Sequence, residues 1–267
     1  PMGVGRALWR VQSAEGNTTA LWHDASDRIV VPFSVTLDVQ RHPCVPAYPL
    51  PPVTGKAVPT TTDDLTPALW VNAPLAARAF HVAWQTGAIC GGRPTGKLAV
   101  DSEAIRPIWS GLAKLPDDTP IGLRIWPKGI PEVTFSSEEG QAWVTLVSGP
   151  VRVELVGSLH GTWLELAVME VDVTVEGGLG VDANMGLIIT PDRIDVATYT
   201  VAPGLLDAPG AEVPQALLEP MIRELLAAPL MSLPPLALAD PTLEVGLQDG
   251  YLLFHVARPT RSGVSRD

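Results

Sequence analysis

The chain has 267 residues, which is enough for one or two domains with a buried core. Apolar residues make up 46% and charged residues 18% of it, a composition that is typical of a folded protein and excludes general disorder. The formal net charge of −11 repels a phosphate backbone, so we expect no nucleic-acid partner. No apolar run reaches the about 18 uninterrupted residues of a membrane span, so we expect a soluble protein.

The amino-terminal part of the chain contains two strand-like segments, residues 7–12 and 29–40. The second alternates Val31, Phe33, Val35, Leu37 and Val39 with polar neighbours, which predicts a half-buried sheet. Residues 43–67 are rich in proline and follow neither the helix period nor the strand period. We therefore predict a linker over 43–67 and a boundary between two parts of the chain.

A first helix is predicted over residues 72–87. Asn72 suits a cap, Pro74 suits the first turn, and Gly87 suits the stop. Apolar side chains share one side of the helical wheel: Leu75, Ala76, Ala79, Phe80, Val82 and Ala83. Arg78, His81 and Gln85 fall on the opposite side, and the alanine-rich first side is expected either to lie close on a sheet or to leave a shallow space beneath it.

The middle of the chain predicts one long antiparallel sheet. A short helix over 102–115 is followed by strand patterns at 121–126, 132–135, 141–147, 151–156, 162–175, 185–189 and 194–201. Turn residues separate them, for example Pro127-Lys128-Gly129 and Thr190-Pro191-Asp192, which favours a meander. Apolar and charged residues alternate in several strands, so one face of this sheet is expected to be wet.

A second long helix is predicted over 213–232, with a wide apolar stripe and two internal prolines, Pro220 and Pro229, that should kink it. Strands at 243–247 and 251–256 should close the fold as a hairpin about the turn at 248–250. The polar residues 259–267 are expected to form a loose tail.

The sequence contains no motif of an enzyme that we can identify: no nucleophile elbow, no zinc-protease helix, no phosphate loop and no dinucleotide fingerprint. The five histidines are scattered, and Cys44 and Cys90 are too few and too far apart along the chain for a zinc site, so we expect neither catalytic nor metal-ligating residues. The two cysteines either form one disulfide or are unrelated buried thiols. The excess of apolar helix surface has two interpretations: ordinary core packing, or an elongated cavity for acyl chains.

Three segments resemble the carboxy-terminal domain of the TULIP superfamily proteins, which include bactericidal/permeability-increasing protein and lipopolysaccharide-binding protein. The segment "VNAPLAARAFHVAWQTGAI" (71–89) is similar to that domain's first helix, and "IRPIWSGLAKLPDDTPIGLRIWPKGIPEVTFSSEEG" (105–140) to its entry into the long sheet. The segment "LLEPMIRELLAAPLMSLPPLALADPTLEVGLQDGYLLFHVA" (217–257) is similar to its second helix and closing hairpin. The order of the elements carries most of this resemblance.

The resemblance implies an α+β fold in which a long curled antiparallel sheet wraps around one or two long helices. Residues 1–42 would supply strands of a central sheet between two domains, and residues 68–258 would form the tubular lipid-binding domain. The amino-terminal half or another TULIP-like domain would be a partner, and a membrane surface could be another. The resemblance also implies a secreted, periplasmic or outer-membrane-associated protein.

The ligand implied by the resemblance is a phospholipid or fatty acid, with no other cofactor and no enzymatic activity. Since the chain is acidic and has only four lysines, we expect the acyl tails rather than the head group to be recognised. The expected lipid contacts are Leu75, Ala79, Phe80, Ala83, Leu218, Met221, Ile222, Leu225, Val153, Leu155, Val196 and Thr198. The alternative is a structural or protein-interaction module whose core is filled by its own side chains.

Overall fold

The computed structural model describes residues 6–13, 22–23, 29–30, 33–53, 68–87, 90, 98–100, 102–182, 186–202, 204–210, 212–227, 231–232 and 243–256. Strand β1 (Arg6–Ser13) pairs antiparallel with β4 (Phe33–Gln40), and β2 (Trp22–His23) pairs with β3 (Ile29–Val30). The strand expected over 29–40 is thus described in two parts that pair with different partners, and residues 31–32 between them lie outside the described residues.

The fold is an α+β architecture dominated by a curled antiparallel sheet. Short strand β5 (Ala68–Asn72) leads into helix α1 (Ala73–Gln85), and the sheet then begins. Its spatial order is β13-β12-β11-β10-β7-β6, with a β8–β9 hairpin attached to β11. The strands are β6 (Leu98–Val100), β7 (Ile121–Pro127), β8 (Glu132–Glu138), β9 (Gln141–Val147), β10 (Val151–Leu159), β11 (Thr162–Val181), β12 (Gly186–Ala202) and β13 (Met231–Ser232).

The expected meander is wrong in one respect. Strand β7 pairs with β10 rather than with β8, its neighbour in sequence. Strand β11 is 20 residues long, so its first half pairs with β10 and its second half has room for β9. Along the chain, the β8–β9 hairpin therefore lies between β7 and β10, and these two strands are neighbours in the sheet.

The turn expected at Thr190-Pro191-Asp192 is also wrong, because β12 runs through it as one strand of 17 residues. Opposite Glu176 and Gly177 of β11, strand β12 contains one extra residue, Asp192, and this bulge accommodates Pro191 in the ladder. A Cβ atom on Gly177 would lie 2.3 Å from the carbonyl oxygen of Thr190. Glycine at this position therefore lets the two backbones approach closely enough to keep the strand continuous.

Helix α1 confirms its predicted limits. Asn72 is the residue before it, Pro74 lies in its first turn, and Gly87 follows it with a φ of 82°, a value that favours glycine. The helix expected over 102–115 is instead two pieces, α2 (Ser102–Ile105) and a 3₁₀ helix (Ser110–Lys114). Pro107 lies between the pieces, where a continuous helix would lose a backbone hydrogen bond.

The second long helix, α3 (Glu212–Ala227), is shorter than expected because Met231 and Ser232 form β13 instead. Pro220 lies inside α3 as expected, whereas Pro229 lies outside the described residues. The expected end at residue 232 is wrong because residues 231 and 232 pair with β12 as a strand. Among the described residues, no helix has both the length and the apolar character needed to span a membrane.

The closing hairpin confirms its prediction. Strand β14 (Leu243–Gln248) pairs with β15 (Tyr251–Val256), and β15 also pairs with β5. Asp249 and Gly250 have φ values of 52° and 83°, as a tight two-residue hairpin turn requires. Helix α1 packs against β4, β5, β8 and β15, while α3 packs against β12 and α2. How the chain divides into domains, including the tail at 259–267, stays a prediction.

Candidate apolar binding site

One contiguous apolar cluster joins the two long helices to the sheet. Helix α1 contributes Ala76, Phe80 and Trp84, and α3 contributes Val213, Leu217, Leu218 and Leu226. The rings of Phe80 and Phe135 lie 6.0 Å apart between centroids, which fixes α1 against β8. The cluster is the candidate site because it is apolar along its length and both helices border it.

The side of α1 that enters the cluster differs from the expected one. Of the four expected contacts on this helix, Phe80 belongs to the cluster, and Ala79 is buried outside it. Leu75 and Ala83 are only half-buried. The side facing the cluster is rotated by about 75° from the expected side, at about 100° per residue. The spacing of residues 76, 80 and 84 is the signal that could have identified this side.

The opposite side of α1 is buried as well, which the sequence pattern did not predict. His81 and Gln85 are 7% and 4% exposed. Residues 42–51 lie along this side, where the Gln85 amide donates to the Tyr48 carbonyl at 2.9 Å and Arg78 donates to the Pro51 carbonyl at 3.3 Å. Burial raises the pKa of the Tyr48 phenol above its ordinary value. The described part of the proline-rich segment is thus packed onto the helix.

Of the lipid contacts expected on α3, one belongs to the cluster and two lie at its boundary. Leu218 is 3% exposed and belongs to the cluster. Met221 and Ile222 are half-buried and pack against it. The side chain of Leu225 lies outside the described part of the structure, so its expected role stays a prediction.

The lipid contacts expected on the sheet differ in how far their side chains are buried. Val153 and Leu155 on β10 are fully buried members of the cluster. Val196 on β12 is half-buried and packs against it, and Thr198 pairs with Val171 but has a side chain outside the described residues. Val156, the next residue on β10, is also buried but does not belong to the cluster, as expected for a neighbour that faces the other side of the sheet.

A polar clamp, formed by Gln215 and Arg223, fixes α3 to β12. The Gln215 amide accepts from the Val196 backbone N–H and donates to the Ile194 carbonyl, both at 2.7 Å. Arg223 donates to the Pro191 carbonyl at 3.0 Å. Glu219 lies between them and accepts from both; the Gln215 hydrogen bond and then Arg223 lower the pKa of this carboxyl. Met221 and Ile222 therefore lie beside the contact between α3 and β12, where the polar clamp forms three hydrogen bonds to the β12 backbone.

The other face of the sheet carries charged side chains, as the alternation predicted. Glu154 is only 9% exposed and lies between two arginines, with Arg152 at 2.7 Å and Arg124 at 3.6 Å. Arg152 also reaches Glu165 at 3.6 Å. This row of alternating charges crosses β7, β10 and β11 and keeps the apolar cluster on the opposite face.

Cys44 and Cys90 form a disulfide with their Cα atoms 6.5 Å apart, which decides between the two alternatives left open by the sequence. His42 lies beside them, and its ligand nitrogen and the two sulfur atoms lie within 4.8 Å of one another. The expectation that the cysteines are too far apart to share a metal site was drawn from their separation of 46 residues along the chain, and folding removes that distance.

Comparisons with known proteins assign no family to the chain. No family model matches it, and no curated protein matches it. A solved structure described as "Crystal structure of lipopolysaccharide binding protein" is similar over 59% of this chain, with 15% sequence identity and a TM-score of 0.35. The chain spans 37% of the length of that protein. At this level the comparison identifies a structural neighbour and gives neither a ligand nor a role to this chain.

Proposed function

We propose that the chain is a non-enzymatic lipid-binding module, a TULIP-like tubular domain that holds the acyl tails of a phospholipid or fatty acid between its helices and its sheet. The observation that carries the proposal is the continuity of the apolar cluster from fully buried Val153 and Leu155 to half-buried Met221, Ile222 and Val196. The half-buried residues mark where α3 meets β12, and a lipid tail would enter there.

The energetics favour entry of a tail at this contact. Burying ten methylene groups is worth about 8 kcal/mol. Opening the clamp costs the Gln215 and Arg223 hydrogen bonds to β12, which contribute about 1 kcal/mol each. The apolar contacts that α3 loses on opening are replaced by contacts with the tail. Binding of a single acyl chain taken up from water can therefore be net favourable without any strong contact to the head group.

Charge and redox chemistry support the remaining parts of the proposal. The net charge of −11 disfavours an anionic head group as the recognised feature, so we assign recognition to the tails. Disulfides persist in oxidising compartments, and the Cys44–Cys90 bond supports a secreted, periplasmic or outer-membrane-associated protein. An amino-terminal half or a second tubular domain is the proposed protein partner, and a membrane surface is the proposed source of lipid.

The first test is native mass spectrometry of the purified chain, repeated after organic extraction and compared with a blank from the same host. A stoichiometric phospholipid or fatty acid is the expected result. No adduct, together with failure to displace a fluorescent fatty acid, would show instead that side chains fill the core. The chain would then be better explained as a structural or protein-interaction module.

A pair of variants tests the location. Met221→Glu combined with Ile222→Glu places two charges on α3 at the boundary of the cluster and should reduce the fluorescent fatty acid signal at least about tenfold. The matched control is Leu205→Glu combined with Ile130→Glu, because these residues are 59% and 50% exposed. Binding that survives in a folded Met221/Ile222 variant would contradict the proposed entry point.

A further inference from the structure

A second site lies at the carboxyl end of α1, where His42, Cys44 and Cys90 meet. Each offers one atom that can ligate a metal ion, and these three atoms lie within 4.8 Å of one another. His42 and Cys44 are half-buried, and Cys90 is 5% exposed. Two sulfur atoms and an imidazole nitrogen form the donor set that Zn²⁺ prefers.

Backbone contacts hold the three residues to the last turn of α1. The His42 N–H donates to the Gln85 carbonyl at 2.8 Å, and the Cys90 N–H donates to the Gly87 carbonyl at 2.9 Å. The imidazole Nδ1 accepts from the Cys44 N–H at 3.2 Å. A Cβ atom on Gly87 would lie 2.6 Å from the His42 ring, so glycine there makes room for the ring. The two backbone hydrogen bonds do not depend on the sulfur–sulfur bond, so His42 and Cys90 should keep their places when that bond is broken, whereas the hydrogen bond to Nδ1 is given up when the imidazole binds a metal ion.

We propose that reduction of the Cys44–Cys90 disulfide creates a Zn²⁺ site with His42 as its third ligand. A dithiol reductant supplies two electrons and two protons: the sulfur–sulfur bond breaks, each cysteine becomes a thiol, and the dithiol becomes a disulfide. Zn²⁺ then displaces both thiol protons and forms two Zn–S bonds and one Zn–N bond. Attack begins at Cys44, whose sulfur belongs to the more exposed of the two cysteines.

The electrostatics of the position favour a cation. The helix dipole places a partial negative charge at the carboxyl end of a helix, and α1 ends here. Three protein ligands leave the fourth tetrahedral position open for water or for another donor. In the disulfide form both sulfurs are bonded to each other, so the metal affinity is controlled by the redox state of the same two cysteines.

The experiment uses the full chain in its disulfide form and after reduction and removal of the reductant without oxygen, with Co²⁺ as the spectroscopic probe and Zn²⁺ as the competitor. The reduced chain should bind one Co²⁺ with a thiolate-to-cobalt charge-transfer band that Zn²⁺ abolishes, and the disulfide form should not. Loss of an outer-shell partner alone weakens metal sites by about 10- to 100-fold, so His42→Ala should weaken binding by at least about 100-fold.

His160→Asn serves as the matched control. His160 is an exposed histidine with a φ of 51°, a conformation that asparagine tolerates, so this variant should bind Co²⁺ as the unchanged chain does. Zn²⁺ should also raise the unfolding temperature of the reduced chain and not that of His42→Ala. Equal binding by the disulfide form, no binding by the reduced chain whether folded or unfolded, or unchanged affinity in His42→Ala would each overturn the site.

Discussion

Removal of the Cys44–Cys90 disulfide should produce a large and calculable loss of stability. The bond joins residues separated by 46 positions. In the chain-entropy model, closing a loop of that length lowers the entropy of the unfolded chain by about 13 cal/mol/K, which is about 4 kcal/mol at 25 °C. The contacts of residues 42–51 with α1 do not involve sulfur, so the native state should keep them in a Cys44→Ser, Cys90→Ser variant.

Urea unfolding followed by circular dichroism, with a chelator present, measures this loss. With a denaturant slope of about 2 kcal/mol/M, the midpoint should fall by about 2 M, and the slope should rise because the unfolded chain becomes more expanded. Chemically reduced wild-type protein should give the same curve as the serine variant. A loss below about 1 kcal/mol with an unchanged slope would refute the reasoning, because it would show that other contacts already restrict the unfolded loop.

Other predictions concern the sheet and the clamp. Gly177→Ala should lower the free energy of unfolding by about 3 kcal/mol, because the new Cβ would lie 2.3 Å from the Thr190 carbonyl oxygen. Gly180→Ala on the same strand is its control and should change stability by less than about 1 kcal/mol, since the nearest atom is 3.7 Å away; thermal unfolding compares the two. Glu154→Gln should cost about 1 to 3 kcal/mol in urea unfolding by leaving two arginines without their shared carboxylate, and an unchanged midpoint would contradict this. Because the pKa of Glu219 is lowered in the folded state, its contribution is present above the unfolded pKa of about 4.3 and is lost as the pH falls through the folded value. Unfolding temperatures of Glu219→Gln and the unchanged chain should therefore differ near neutral pH and converge in acid, and a difference that persists in acid would show another cause.

Local signals in the sequence were sufficient for elements that depend on local chemistry. Pro74 in the first turn and Gly87 after the last turn mark the limits of α1 because their backbone preferences act within one turn, whereas Asn72 precedes the helix without a side-chain capping hydrogen bond. Asp249 and Gly250 define the closing hairpin for the same reason. Expectations failed where a distant segment decided the outcome. Pro191 is typical of a turn, and it belongs to the ladder because β12 bulges at Asp192 opposite Gly177 of the neighbouring strand, where the two backbones approach closely.

The candidate site was predictable in composition and less so in orientation. Phe80, Leu218, Val153 and Leu155 were expected as lipid contacts from the family resemblance, and they lie in the apolar cluster. The rotation of α1 could not be predicted from one wheel, because residues 42–51 cover the side that carries His81 and Gln85. A polar helix face looks solvent-exposed in sequence until the segment that supplies its hydrogen-bond partners is known.

The Gln215 side chain has a consequence for how copies of this protein behave toward one another. Its amide fills both a donor and an acceptor position on β12, as the backbone of a neighbouring strand would. Unpaired strand backbone is a template for recruiting another chain. Because a helix side chain occupies those positions, the backbone groups of Ile194 and Val196 are not available to a strand from another copy.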